Sequence, residues 1–185
     1  AEGEVMQLAN LGNFSLSVDS YRTVINSKTA LLFESATHSA GVLAMSNSPE
    51  VKEEHVKSIR SYGHHFGMAY QLVDDLLDYV GSKTIMGKNT GDDLSEGKLT
   101  LPIILALAKT SGRKKNSLLH ALKQKSSANL EEIVEIITSS GAIEDTRKAA
   151  LHEIEKAREH LLHLPENEYR KALESLTEYS ADRIF

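Results

Sequence analysis

The chain has 185 residues, 41% of them hydrophobic and 25% charged, with a formal net charge of −5 and no cysteine. That length and apolar content predict one domain with a sizeable core. The acidic balance leaves no footprint for nucleic acid, and zero cysteines exclude disulfides and zinc–thiolate sites while fitting a reducing, cytoplasmic setting.

Only Pro49, Pro102 and Pro165 punctuate the chain, and no alternating run is long enough for a sheet. No run of eighteen apolar residues offers a transmembrane helix. The apolar spacing predicts helices over about 18–45, 50–80, 100–109, 115–124, 129–139, 142–163 and 166–182, an all-α bundle with short connections.

In the first of these helices Lys28 shares its face with Leu32, Ser35, Ala36 and Ser39, small or apolar residues. A lysine there either snorkels to water, the plainer reading of the residues alone, or points into a polar cavity. The second helix is expected to start at Ser48-Pro49-Glu50, since serine can cap and proline fits a first turn.

That second helix ends in Gly67-Met68-Ala69-Tyr70-Gln71-Leu72-Val73-Asp74-Asp75-Leu76-Leu77-Asp78. Each residue turns about 100°, so with Asp74 at zero, Asp78 lies at about 40°, Gln71 at about 60° and Asp75 at about 100°. The rest of the circumference is apolar, as in a helix packed on most sides. Gly63 and Gly67 on the acidic side are expected to leave room for something to approach.

Carboxylates three and four residues apart repel by a few tenths of a kcal/mol per pair unless a cation neutralises them. Hard oxygen donors without thiols suit Mg²⁺ or Mn²⁺, which takes one or two carboxylates and completes its shell with water and phosphate oxygens. The bland alternative is a solvated acidic face.

Next comes Gly81-Ser82-Lys83-Thr84-Ile85-Met86-Gly87-Lys88-Asn89-Thr90-Gly91-Asp92-Asp93-Leu94-Ser95-Glu96-Gly97-Lys98, a loop of glycines and lysines suited to phosphate. It is not a P-loop: five residues separate the glycines, neither Lys88 nor Lys98 precedes Ser or Thr, and no strand leads in.

These segments together resemble the trans-polyprenyl diphosphate synthases, in particular the long-chain octaprenyl and solanesyl type. Gly67 to Asp78 is similar to their second aspartate-rich motif, Gly87-Lys88 to Gly97-Lys98-Leu99-Thr100-Leu101-Pro102 to the segment after it, and Lys28-Thr29-Ala30 to their KTA motif. Gly3-Glu4-Val5-Met6-Gln7-Leu8 resembles the start of the helix preceding KTA.

The resemblance implies an isoprenoid-synthase-type helical bundle and a Mg²⁺-dependent condensation of an allylic diphosphate with isopentenyl diphosphate, supplying a quinone side-chain precursor. It implies that Lys28 and Thr29 contact the allylic diphosphate, Gln71 supports it, and Lys88 and Lys98 face the diphosphate. Asp74 and Asp78 then bind metal directly or through water, and Asp75 completes the motif. Lys28, Asp74, Asp75 and Lys88 form the expected catalytic set. A cytoplasmic homodimer is the implied assembly.

The family's first aspartate-rich motif and upstream arginines are expected before Ala1. Residues 1–185 therefore read as the C-terminal part of a synthase domain whose N-terminal half is missing, inactive alone. Two other classes remain open: a non-catalytic regulatory subunit of a heteromeric synthase, and a terpene cyclase, against which Asp-Asp-Leu-Leu-Asp with KTA argues.

Weaker signals complete the reading. His64 and His65 point about 100° apart and suit packing or surface roles. Arg113-Lys114-Lys115 with Lys123 and Lys125 offers a peripheral contact to acidic lipid, although a solvated face is plainer. Asp92-Asp93 offers a water-mediated metal contact or, more plainly, a turn.

Overall fold

The computed structural model describes residues 2–80 and 90–183, and among these it is all-α, with no strand. In chain order come α1 (Glu2–Ala9), α2 (Val18–Ile25), a π-helical turn (Asn26–Ala30), α3 (Leu31–Asn47), α4 (Glu53–Val80), the short α5 (Asp92–Glu96), α6 (Leu101–Lys109), α7 (Gly112–Gln124), α8 (Leu130–Ser139), α9 (Ala142–Leu161) and α10 (Glu168–Asp182). The chain divides into two compact units, one made of Ala1–Val24 with Leu72–Lys148, the other of Ile25–Gln71 with Ala149–Phe185.

In the first unit, α6 follows an extended Thr100, has Pro102 in its first turn, and buries Leu101, Pro102, Ile103, Ile104, Ala106 and Leu107. Proline costs nothing there because its missing N–H would have had no intrahelical partner. α8 presents Ile133, Ile136 and Ile137 on one face, all buried. Leu72, Val73 and Leu76 of α4 are fully buried in the same unit, as are Leu94, Leu118 and Ile137.

The second unit is built around Tyr62, Phe66, Ala157 and Leu161, with Phe33, Ile59, Leu164 and Leu173 packed against them. Phe33 meets Phe66 edge-on at 5.3 Å and Tyr62 stacks on Phe66 at 5.7 Å, both favourable ring geometries.

Several predicted boundaries need correction. The helix expected over 18–45 is broken by the π turn, closed by a hydrogen bond from the Leu31 N–H to the Asn26 carbonyl five residues back. One extra residue per turn rotates everything after it, so the predicted face-mates of Lys28 do not apply. Ser48-Pro49-Glu50 does not start α4: Ser48 is extended and ends α3, its N–H bonded to the Ala44 carbonyl. The α4 start is fixed instead by His55, whose Nδ1 accepts the Lys52 N–H at 3.2 Å. α9 ends at Leu161 rather than 163, and α10 waits until Asn167 can cap it, its side chain accepting the Arg170 N–H at 2.9 Å. Periodicity alone predicts neither α1 nor α5, because eight and five residues are too few for a repeating pattern.

Candidate functional site

The acidic residues at the end of α4 belong to the first unit, and they are not equivalent. Asp75 is only 4% exposed, and burying a carboxylate is costly unless hydrogen bonds replace water. The hydroxyl of Tyr21, on α2, donates to Asp75 Oδ2 at 2.6 Å. Burial, and next the negative charge of Asp75, raises the Tyr21 phenol well above its usual range, so it keeps its proton and remains a donor.

Asp78 is held differently. The backbone N–H groups of Asp92 and Asp93 donate to its Oδ1 and Oδ2 at 3.1 and 3.2 Å, and the Gly91 N–H bonds to its main-chain carbonyl at 3.0 Å. This return is possible because Gly91 takes φ 85°, a left-handed conformation, and a Cβ there would lie 2.7 Å from Leu130. Burial, then the Asp93 charge, pushes Asp78 up to about 6, against the pull of the two N–H donors. Asp74 is half-buried.

Asp93, which the plainer sequence reading assigns to a turn, also pairs with Lys98. The Lys98 ammonium lies 3.2 Å from Asp93 and 2.7 Å from Glu96. Burial pulls its pKa down, but the Glu96 bond and the Asp93 charge prevail and hold it above its ordinary value. Gly97 precedes it with φ 74°, and the Lys98 N–H bonds to the Asp93 carbonyl at 2.9 Å. Lys88 lies outside the described residues.

Lys28, Thr29 and Ala30 belong to the second unit and sit within the π turn. Such insertions are frequent at functional sites because they re-aim side chains that a regular helix would point elsewhere. Thr29 donates its hydroxyl to Gln71 Oε1 at 2.6 Å, and Gln71 is 9% exposed. Lys28 is half-buried.

The room expected beside Gly63 and Gly67 is filled by the chain itself. A Cβ on Gly67 would stand 2.6 Å from Ala30 Cα, and one on Gly63 would stand 2.1 Å from Thr37 Oγ1 and 2.7 Å from the Phe33 carbonyl oxygen. The glycines let α4 lie against the π turn and α3 at a separation other residues would forbid. Gly67 and Gln71, one turn apart, thus seat Ala30 by shape and Thr29 by a hydrogen bond.

His64 and His65 take separate carboxylate partners, their Nδ1 atoms lying 3.3 Å from Glu34 and 2.7 Å from the buried Glu153. In the basic stretch, Lys114 bonds to Ser139 at 3.2 Å and Lys123 lies 5.9 Å from the Phe14 ring centre, contacts typical of a solvated face. Among the described residues no helix is long and apolar enough to cross a membrane.

Also among the described residues, no three His, Cys, Asp or Glu side chains form a ready-made metal cage. The donors on α4 are hard oxygens, suited to a cation that takes one or two carboxylates and leaves most of its shell to water and phosphate. The sequence pattern does not reveal Tyr21, 54 residues from its partner; a buried tyrosine has the same apolar spacing whether or not its hydroxyl is used. Nor does it show which glycines serve packing and which serve a turn.

Comparison with known proteins gives one consistent answer. Residues 1–138 match the model of the Polyprenyl synthetase family. The chain is 41% identical over 184 residues to the all-trans-nonaprenyl-diphosphate synthase (geranyl-diphosphate specific) of Rhodobacter capsulatus, covering 100% of this chain and 55% of that protein. It is 40% identical to the octaprenyl diphosphate synthase of Escherichia coli, covering 99% and 55%.

Among solved structures, the decaprenyl diphosphate synthase of Rhodobacter capsulatus superposes with TM-score 0.88 at 37% identity, covering 100% of this chain and 56% of that one. A polyprenyl synthase from Caulobacter crescentus, complexed with calcium and isoprenyl diphosphate, does so with TM-score 0.89 at 36% identity, covering 100% and 55%. The chain thus spans about half the length of the curated relatives it matches.

Proposed function

The chain belongs to the polyprenyl synthetase family, and on that premise we propose that its parent protein is a Mg²⁺-dependent trans-prenyltransferase. It joins an allylic diphosphate to isopentenyl diphosphate to make a long polyprenyl diphosphate, of the kind that becomes a quinone side chain. The observation that carries the reading is the wiring of α4. Asp75 and Asp78 are buried or half-buried close together on one helix, and each is held by donors from distant parts of the sequence. A helix that served only packing would gain stability by replacing them.

In this reading Asp74 and Asp78 hold the metal, directly or through water, and Asp75 completes the set. Lys28, Lys88 and Lys98 face the diphosphate; Thr29 and Gln71 contact it as a hydrogen-bonded pair. When bound, Mg²⁺ supplies positive charge to the departing diphosphate oxygens.

The residues of the chain do the rest. Ammonium groups set in advance stabilise the leaving group more in the transition state than before it, which lowers the barrier. The allylic C–O bond breaks and its electron pair leaves with pyrophosphate. The double bond of isopentenyl diphosphate attacks the allylic carbon, and loss of a proton restores a double bond. Lys98 releases one of its two carboxylates, Asp93 or Glu96, to meet the diphosphate. Apolar packing around α4, from Leu72, Val73 and Leu76, keeps water from the cationic carbon.

The parent works as a homodimer in the cytoplasm, and residues 1–185 alone are inactive. Calorimetry with an unreactive thiolo analogue of an allylic diphosphate tests the reading on the full-length parent. Tight binding that requires Mg²⁺ and weakens at least tenfold in Lys28→Ala is expected. Binding indifferent to both Mg²⁺ and Lys28 would remove it.

A further inference from the structure

We propose that Tyr21 is a positioning residue for the metal-binding face of α4: its hydroxyl fixes the carboxylate of Asp75 in the orientation the site requires. The inference rests on the proposed function, since it gives Asp75 a place beside the metal.

The bond from Tyr21 to Asp75 Oδ2 is 2.6 Å, within the range of short hydrogen bonds to an ionised acceptor. Tyr21 itself is 3% exposed, so its hydroxyl cannot exchange this partner for bulk water. Asp75 is itself only 4% exposed, so bulk water does not compete with Tyr21 for its carboxylate. Pinning one oxygen fixes the plane of the carboxylate and so the direction of the other oxygen.

Alone, a carboxylate on a helix samples several rotamers; with a rigid aromatic donor from a second helix it has one. Partners that orient a ligating group in this way are worth roughly 10–100-fold in metal affinity or activity. A purely structural tyrosine would need its ring buried but would not need its hydroxyl on one of the motif's three carboxylates.

Tyr21→Phe in the full-length parent keeps the ring and removes only the hydroxyl. The readout is the Mg²⁺ concentration that half-saturates binding of the unreactive allylic diphosphate analogue, together with the urea midpoint. The expected result is a rise of about 10–100-fold in the Mg²⁺ requirement. In an Asp75→Asn background, which removes the charge while keeping the shape, the same substitution is expected to add nothing further.

An unchanged Mg²⁺ requirement, or an equal increment in both backgrounds, overturns the inference while wild-type binding leaves the proposed function standing. A wild-type parent that shows no Mg²⁺-dependent binding overturns both. If Tyr21→Phe does not fold, the inference predicts that adding Asp75→Asn restores folding, because the buried charge that the hydroxyl stabilised is then gone; continued failure to fold contradicts it.

Discussion

At the C-terminal end of α4 each fixed carboxylate owes its position to polar partners brought from elsewhere in the sequence, Tyr21 for Asp75 and the Asp92 and Asp93 N–H groups for Asp78. Around Lys28-Thr29-Ala30 shape is a main device: Gly63 and Gly67 remove two side chains so that the π turn and α3 can lie on the helix, and a Thr29–Gln71 bond joins the two. The two regions should therefore fail in different ways. Polar changes in the first alter charge and metal affinity with little effect on folding, whereas steric changes in the second strike stability first.

The largest expected effect lies in the first region. Asp74→Ala in the full-length parent is expected to lower turnover about a thousandfold. Its urea midpoint should stay at or above that of the wild type, because one of three repelling carboxylates is gone. Rate measurements beside an unfolding curve check this, and a variant that simply unfolds would make Asp74 structural and erase the contrast.

The next effect is in the second region. Gly67→Ala puts a methyl group against the Ala30 backbone at 2.6 Å, and backbone cannot move aside as a flexible side chain can. Overpacking of this kind costs about 1–3 kcal/mol, set against roughly 1 kcal/mol of helix propensity gained. Urea denaturation should show a net loss; an unchanged or higher midpoint would mean that the two elements are not in close contact.

The smallest effect is a pH dependence in the metal-free protein. The folded chain holds Asp78 up to about 6, against an ordinary value of 3.8. Between about pH 4 and 6 the folded state therefore keeps a proton the unfolded state has lost. Stability from this group is complete below that window and falls as pH rises through it. Thermal melts across the window should show the decline, and Asp78→Asn should flatten it; Asp92 and Asp93, whose charges help raise Asp78, are left in place.

Long helices, the acidic face and the order of the motifs were legible because each is a local pattern with a fixed angular period. The π turn was not, since Asn26–Ala30 has no composition that distinguishes it from helix; its last residue, Ala30, is seated against Gly67, a contact that no local pattern shows. The start of α4 was misplaced because Ser48-Pro49 satisfies capping rules that His55 fulfils in fact. Asp93 read as a turn residue because its pairing with Lys98 depends on two left-handed glycines folding five residues back on themselves. Glycine itself was ambiguous: Gly91 is needed for its φ and Gly67 for its lack of a side chain, yet both are the same letter.

The most direct test of the whole account is incorporation of labelled isopentenyl diphosphate by the full-length parent, with an allylic diphosphate primer, with and without Mg²⁺, and products separated by length. Mg²⁺-dependent growth to a long polyprenyl diphosphate is the predicted result. A folded parent that binds neither substrate, or that turns over the primer without lengthening it, would contradict the account.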